Sequence, residues 1–193
     1  SQKLWYQSQA MKKELEHTIS TAIEKGQSAV VLSKRISKYL IDYPSLKADY
    51  TEKFGKAATC ANCQYASIRL ARTEINMAYR KAEQTRWQQF DFILGYEIKL
   101  SKRHPAPDIC DDLLGIYPKD FVFLGWHPNC MCYVVPIVMS DEDFYGSPSM
   151  QKSAMVSRTP KSFNDWVRNN RSRIGKAKTL PYFLKDNRKY WHL

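Results

Sequence analysis

Apolar residues recur every three, four or seven positions through the first forty residues, which is the spacing of an amphipathic helix. Two such stripes consist of Leu4, Met11, Leu15, Ile19 and Ala22, and of Ala29, Leu32, Ile36 and Leu40. Between the stripes, Gly26 is typical of a helix C-terminus and Ser28 of a helix N-cap. The pattern therefore predicts two helices, the second of which is broken near Pro44.

A third and longer helix is predicted from about Thr59 to Gln89, because this stretch contains neither glycine nor proline. Its buried stripe consists of Ile68, Ala71, Ile75 and Ala78. The polar residues 46–58 that precede it are expected to be a connection. The first half of the chain is therefore expected to be helical.

The apolar period then changes from helical spacing to simple alternation, which indicates a strand. Tyr96, Ile98 and Leu100 alternate with Glu97 and Lys99. Two more strands are predicted in the segments FVFLG (121–125) and MCYVVPIVM (131–139), the second of them at a sheet edge because it contains a proline. The segment 104–120, rich in proline and glycine, is predicted to be a structured loop.

The C-terminal residues are predicted to be a linker, about 140–160, followed by an amphipathic helix capped by Ser162. The apolar side of this helix consists of Phe163, Trp166, Val167 and Ile174. We therefore predict an α+β fold with a helical N-terminal half, a small antiparallel sheet with a His/Cys knuckle, and a basic helical C-terminal arm. The expected divisions are a helical region 1–58, a central domain 59–140, and the linker with its arm 141–193.

Positive charge is concentrated at the end of this 193-residue chain, whose net charge is +11. Residues 151–193 contain 11 Lys and Arg against 2 Asp and Glu, whereas residues 1–150 contain 19 against 17. The candidate binding residues are Arg168, Arg171, Arg173, Lys176, Lys178, Arg188 and Lys189, interleaved with aromatic residues. They suit either nucleic acid, through phosphate contacts and base stacking, or an acidic protein surface. No apolar run is long enough to cross a bilayer, so no membrane partner is expected.

Histidine and cysteine residues cluster in two proline-containing segments, and together they form a candidate zinc site. The five candidate ligands are His104, Cys110, His127, Cys130 and Cys132, with Asp108 as a further oxygen ligand. Zinc in proteins is bound tetrahedrally by such nitrogen and sulfur atoms from two converging loops. The alternative is that the cysteines are small buried apolar residues and that the histidine is hydrogen-bonded in a turn. Cys60 and Cys63 are expected to pack within the third helix.

The same residues also allow a nucleophilic site, in which Cys110 or Cys130 is activated by His127 and Asp108. A catalytic zinc would instead keep one coordination position open for water. The helical segment RLARTEINMAYRKAE (69–83) has either a solvated charged face or a bracing role, in which Arg72 and Glu74 hold the loops that follow. The chain has no glycine-rich phosphate loop, no G-x-S-x-G and no H-E-x-x-H.

The order of these motifs resembles a known family. RTEINMAYRKAE, a strand, HPAPDIC, GIYPKDF and GWHPNCMCYVVPI follow one another, as in the head-morphogenesis or minor capsid proteins of tailed phages (phage Mu F-like), especially those of Bacteroidales prophages. The likeness covers about residues 60–140 and extends to the C-terminal FNDWVRNNRSRI and LPYF. The family often has C-x2-C in the first loop, where this chain has Pro107 and then Cys110.

The resemblance implies a minor capsid protein in the virion, present in the bacterial host cytoplasm during assembly. Its expected partners are the portal or other capsid proteins, and packaged DNA through the C-terminal arm. It implies a role in head assembly, DNA packaging or ejection and no established catalysis. The alternatives are a metal-dependent hydrolase, a nuclease or a toxin delivered with the virion, and a DNA-binding accessory protein.

Overall fold

The structure is a computed structural model that describes residues 2–41, 60–104 and 107–191. Contacts divide the chain into two compact units, Ser1–Ala78 and Tyr79–Leu193, here called the N-terminal and C-terminal units. The division falls within one helix, α3 (Cys60–Trp87). The fold is α+β, as the apolar pattern predicts, with a three-stranded antiparallel sheet in the C-terminal unit.

The N-terminal unit contains the two predicted helices, α1 (Gln2–Glu24) and α2 (Ala29–Ile41). Gly26 has a positive φ of 61° and ends the first helix, as expected. The Ser28 hydroxyl accepts a hydrogen bond from the Val31 amide at 3.3 Å, which makes Ser28 the N-cap of the second helix. The buried core of this unit consists of Ala22, Leu32, Ile36 and Ala71. The predicted polar connection 46–58 lies outside the described residues.

The sheet of the C-terminal unit has the order β2-β1-β3, so that the strand with the alternating pattern lies at its centre. The three strands are β1 (Ile93–Lys99), β2 (Gly115–Pro118) and β3 (Tyr133–Val138). Pro136 pairs with Tyr96 from the edge strand β3, as predicted for a proline that cannot donate to a ladder. Because β3 directly follows the second His/Cys segment, the sheet anchors one side of that segment.

The segment predicted to be a loop, 104–120, contains regular structure that the sequence pattern did not indicate. It contains the short helix α4 (Ile109–Asp112), which is followed by strand β2. Asp108 is the N-cap of this helix, and Asp111 completes a capping box by accepting a hydrogen bond from the Asp108 amide at 2.8 Å. The helix thus fixes Cys110 in a buried position.

The strand predicted at 121–125 is absent from the described fold: this segment is irregular, although Phe121 and Phe123 are fully buried. Two buried side-chain amides take the place of a neighbouring strand. Asn187 accepts from the Val122 amide at 2.7 Å and donates to the Val122 carbonyl at 2.8 Å. Gln84 accepts from the Phe123 amide at 3.2 Å and donates to the Phe121 carbonyl at 2.8 Å. These backbone amides and carbonyls are therefore hydrogen-bonded without a neighbouring strand.

The predicted linker contains two short helices, α5 (Asp141–Phe144) and α6 (Pro148–Ala154). After them the Val156 amide donates to the carbonyl of Leu94 at 3.1 Å, so this segment contacts the central strand. A Cβ atom at Gly95 would lie 2.9 Å from the Val156 side chain, which explains why glycine occupies this position of β1.

The C-terminal segment is helical and basic, and its apolar side chains complete the core beneath the sheet. It consists of α7 (Lys161–Asn169), α8 (Arg171–Lys176), α9 (Tyr182–Lys185) and a 3₁₀ helix (Arg188–Tyr190). The shared core includes Tyr96, Tyr117, Phe121, Trp126, Phe163, Phe183 and Leu184. No helix in the described part of the chain is long and apolar enough to cross a membrane.

The cap predicted for the C-terminal helix was wrong. Pro160 occupies the N-cap position of α7, and Ser162 lies inside the helix. The Ser162 hydroxyl donates instead to the carbonyl of Leu114 at 3.0 Å. Ser162 therefore ties the helix to the end of the α4 segment, because a serine in the first turn can reach a neighbouring carbonyl as well as its own backbone.

Candidate metal centre

Two thiols and one imidazole meet at a single point beside the sheet, and a third thiol, that of Cys132, follows in the same segment. Cys110 comes from α4, and the other three come from the knuckle, residues 127–132, which leads into β3. The Cys110 Sγ atom lies 3.1 Å from His127 Nε2 and 3.7 Å from Cys130 Sγ. Cys110, Cys130 and Cys132 are all free and buried. The Cys110, His127 and Cys130 group could hold a metal ion.

The spacing of the two thiols matches that of ligands around one tetrahedral ion, whereas the 3.1 Å between Cys110 Sγ and His127 Nε2 is about 0.5 Å shorter than the corresponding ligand spacing. Two thiolates bound to zinc at about 2.3 Å lie about 3.8 Å apart, and a thiolate and an imidazole nitrogen about 3.6 Å apart. The observed 3.7 Å between Cys110 and Cys130 is close to the first value, and is far longer than a disulfide bond. Cys132, two residues further along, is also free and buried, but its thiol does not belong to the group of ligand atoms that lie within 4.8 Å of one another.

A tight turn brings His127 and Cys130 to the same side of the knuckle. The Cys130 amide donates to the His127 carbonyl at 3.2 Å, and Asn129 between them has a left-handed φ of 61°. Proline at the second position and asparagine at the third are the residues that such a turn favours. The sequence HPNC therefore specifies the turn locally.

The hydrogen bonds of His127 leave one nitrogen facing the thiols. Its Nδ1 atom lies 2.8 Å from the carbonyl oxygen of Pro128, so this nitrogen carries the proton and donates. The Nε2 atom then presents its lone pair to Cys110, as in metal-binding histidines whose other nitrogen bonds to the backbone. The donor set could therefore hold a metal ion that binds nitrogen and sulfur.

The nucleophilic arrangement predicted as an alternative has unfavourable geometry. A catalytic triad needs the nucleophile at one imidazole nitrogen and the orienting carboxylate at the other. Here both Cys110 Sγ and Asp108 Oδ2 lie 3.1 Å from the same atom, His127 Nε2. The other nitrogen is bonded to the Pro128 carbonyl. One nitrogen cannot serve both partners, so these residues do not form a triad.

His104, the fifth predicted ligand, lies beside the thiol group among carboxylates. Its Nε2 atom is 3.2 Å from Asp111 Oδ2 and 3.5 Å from Asp108 Oδ1, and its side chain is 8% exposed. His104, Asp108 and Cys110 have ligand atoms within 4.8 Å of one another. The structure thus places four of the five predicted residues in two groups that share Cys110, with His104 on the carboxylate side, and Cys132 belongs to neither group. The side chains of Cys60 and Cys63 lie outside the described part.

Burial and mutual hydrogen bonding shift the pKa values of the three thiols in different directions. Hydrogen bonds from Cys110 and Cys132, together with the Arg80 charge, lower the pKa of Cys130 well below its ordinary value. Hydrogen bonding to Cys130 and Cys132 and burial raise the pKa of Cys110. The Cys110 thiol lowers the pKa of Cys132, but Cys130 and burial outweigh it and raise that pKa to about 12. The cluster is therefore able to share negative charge that a cation would neutralise.

A buried arginine holds the backbone of the knuckle. Arg80 Nη1 donates to the Leu124 carbonyl at 2.8 Å, and Nη2 donates to the carbonyls of Cys130 and Cys132 at 2.9 and 2.6 Å. Bracing was one of two alternatives for Arg72 and Glu74, and the residue that braces the knuckle is Arg80, two turns beyond Arg72 in α3, whereas the Arg72 side chain is exposed.

Glycine at position 125 makes room for this arginine. Gly125 has a φ of 129°, and a Cβ atom there would lie 2.7 Å from Arg80 Nη1 and 3.1 Å from the Cys130 Cβ. Gly125, Gln84 and Asn187 were not predicted from the sequence, and Arg80 had no specific predicted role. The spacing of Arg80, Gln84 and Trp87 could have indicated the roles of Arg80 and Gln84. These three residues continue the buried stripe of α3, and a polar residue at a position of that stripe needs a buried hydrogen-bond partner.

The basic residues predicted to bind a partner are exposed. They are Arg168, Arg171, Arg173, Lys176, Lys178, Arg188 and Lys189. Arg168 pairs with Asp165 at 3.2 Å, and Lys189 pairs with Asp120, so these two are partly neutralised. The other five have no ion pair within the described residues. They leave unpaired positive charge at the surface of the C-terminal unit.

Comparisons with known proteins give no information on the role of this site. Comparison of the chain with protein-family models, with curated proteins and with solved structures found no match.

Proposed function

We propose that this chain is a structural protein of a tailed-phage head, a minor capsid or head-morphogenesis protein whose C-terminal unit is stabilised by a closed zinc site. Four side chains, Cys110, His127, Cys130 and Cys132, would hold the ion. The observation that carries the proposal is the convergence of the first three, with Cys110 Sγ 3.1 Å from His127 Nε2 and 3.7 Å from Cys130 Sγ.

A closed site supports a structural role. Structural zinc is bound by four protein ligands, whereas catalytic zinc has three and an open position for water. The three cysteines are 0–3% exposed, which leaves little access for a substrate. Such an ion would join α4 to the entrance of β3, two segments that are separated in the chain by β2 and an irregular stretch.

The charge of the surroundings also supports zinc. A divalent ion with three thiolates and one neutral imidazole has a net charge of −1. The Arg80 guanidinium, 7% exposed and bonded to the carbonyls of two ligand residues, would balance that charge. A buried charged group is costly unless it is compensated, so the ion and the arginine stabilise each other.

Metal content and thermal melting test the zinc site. The purified chain should contain one equivalent of zinc by elemental mass spectrometry, with sulfur-rich coordination by X-ray absorption. A strong chelator should lower the melting temperature, because an ion bound only by the folded state adds to the free energy of unfolding. Cys130→Ser should lower both zinc content and melting temperature.

The matched control for the imidazole ligand is the exposed His17 in α1. His127→Ala should lose zinc and His17→Ala should retain it. A chain free of metal that melts at the same temperature as the parent would contradict the proposal, as would three protein ligands plus water at the ion.

The head-protein assignment is supported by the order of the helix, the Cys110 segment and the knuckle, and by the exposed basic residues of the C-terminal segment. Those residues would meet the portal, another capsid protein or packaged DNA. Mass spectrometry of purified virions from the phage or induced prophage that encodes this chain tests the assignment. We expect peptides of this chain in intact particles, and their absence would overturn it.

A further inference from the structure

A groove on the C-terminal unit combines positive charge with an apolar floor, and it is separate from the metal centre. It has a volume of about 450 Å³ and lies between the end of α8 and the 3₁₀ helix. This volume falls within the range of about 300–1,000 Å³ typical of ligand sites. We call it the basic groove, and its principal lining residues are Ile174, Lys178, Leu180, Lys185, Arg188 and Trp191.

The cations of the groove are free to bind an anion. Lys178, Lys185 and Arg188 are exposed, and none has an ion pair within the described residues. No acidic residue lines the groove, although the exposed Asp186 is adjacent to Lys185 in the chain. Three unpaired cations around one opening would attract a ligand with several negative charges.

The floor of the groove is apolar and fixed in place. Ile174 is 7% exposed, and Leu180 and Trp191 are half-buried. The Trp191 indole N–H donates to the Leu184 carbonyl at 2.8 Å, which anchors one edge of the ring while the side chain lines the groove. An aromatic ring held this way can stack against a planar group without losing much side-chain entropy.

We propose that the basic groove binds single-stranded nucleic acid, with the phosphates at Lys178, Lys185 and Arg188 and a base against Trp191 and Leu180. Flexible single strands combine the two chemistries that the groove offers, because each nucleotide has one phosphate and one planar base. In a duplex the bases are stacked inside, so only the phosphates would be available. An acidic peptide would satisfy the cations but has no regular planar group for the floor.

The proposal does not depend on the head-protein assignment, so the two can fail separately. Fluorescence anisotropy with a labelled 15-nucleotide oligothymidine, at 50–200 mM salt, measures binding to the full zinc-loaded chain. The double variant Lys178→Gln/Arg188→Gln should weaken binding at least tenfold. It should also reduce the slope of log affinity against log salt by roughly 0.7 for each lost phosphate contact.

The control is Lys13→Gln/Lys34→Gln, which removes the same charge from exposed positions of the N-terminal unit. It should bind nearly as the parent does. Trp191→Phe should retain most of the affinity and Trp191→Leu should lose roughly tenfold or more, since only the first can stack. A melting temperature measured for each variant excludes misfolding, and the charge variants, at exposed positions, are expected to fold normally.

Three results would overturn the proposal. The first is equal loss of affinity in the groove variant and its charge-matched control, which would indicate nonspecific attraction. The second is a duplex of the same length that binds as tightly as the single strand. The third is complete displacement of the oligonucleotide by polyglutamate at equal charge concentration, which would assign the groove to an acidic protein.

Discussion

At the scale of single residues, the knuckle depends on an arginine that satisfies three carbonyl groups at once. Arg80 is 7% exposed and donates to Leu124, Cys130 and Cys132. Its guanidinium also lies 5.1 Å from the centre of the Phe123 ring. A planar fork of donors suits this arrangement, and lysine, with a single ammonium group, cannot reproduce it.

Arg80→Met should lower the free energy of unfolding by about 3 kcal/mol or more, because it leaves three partly or fully buried carbonyls without a donor. Arg80→Lys retains the charge and should be intermediate. Urea denaturation of the zinc-loaded chain measures both. The control Arg72→Met, at an exposed position of the same helix, should change the free energy by less than about 0.5 kcal/mol. Equal effects at the two positions would contradict the bracing role.

Gly125→Ala should destabilise the C-terminal unit by about 1–3 kcal/mol, because alanine is strained at a φ of 129° and its Cβ would displace Arg80. The matched control is Gly175→Ala. Gly175 lies in a helix with no atom within 4 Å of the added Cβ, so this change should be neutral or stabilising by up to about 1 kcal/mol. Thermal melting of both variants distinguishes the two sites, and a neutral Gly125→Ala would show that the knuckle tolerates a shifted arginine.

At the scale of elements, a carboxylate connects the turn after β2 to the final 3₁₀ helix. Asp120 accepts hydrogen bonds from Lys189 and Tyr190. Burial raises the pKa of Asp120, but the hydrogen bonds from these two residues and the lysine charge outweigh it, so the pKa is lower than usual. The contact therefore stabilises the fold only while the carboxyl is ionised.

The sign of the pH dependence follows from that lowered pKa. The stabilisation from Asp120 should be complete above the unfolded pKa of about 3.9 and should disappear as the pH falls through the lower folded value. Asp120→Asn should therefore melt at a lower temperature than the parent at pH 7, and the difference should shrink below about pH 4. Asp186→Asn, at an exposed position, is the control. A difference that is constant across pH would show that the charge of Asp120 contributes nothing.

At the scale of the whole molecule, the candidate ligands all belong to the C-terminal unit, whereas α1 and α2 have a separate core. Removal of the ion by a chelator should therefore affect the two units differently. Hydrogen exchange followed by mass spectrometry should show faster exchange in β1, β3 and α7–α9, with α1 and α2 unchanged. Uniformly faster exchange in both units would contradict this division of stability.

The sequence alone determined the elements whose signal is local. The helices α1, α2 and α3 and the strands β1 and β3 follow from the spacing of apolar residues, from Gly26 and Ser28, and from the edge position of Pro136. The turn of the knuckle follows from Pro128 and Asn129. Each of these depends on residues a few positions apart, so a periodic or turn pattern contains the necessary information.

Only the tertiary structure decided which distant residues meet. Phe121–Gly125 has the composition of a strand, but its backbone is bonded by the amides of Gln84 and Asn187, which lie about forty and sixty-five residues away. In the same way, Arg80 braces the knuckle from fifty residues away, and α7–α9 join the core of the sheet. The strand propensity of a short segment contributes less free energy than hydrogen bonds to its buried polar groups and the burial of its aromatic rings. The residues that make these hydrogen bonds and pack against these rings are distant in the chain, so only the complete fold selects them.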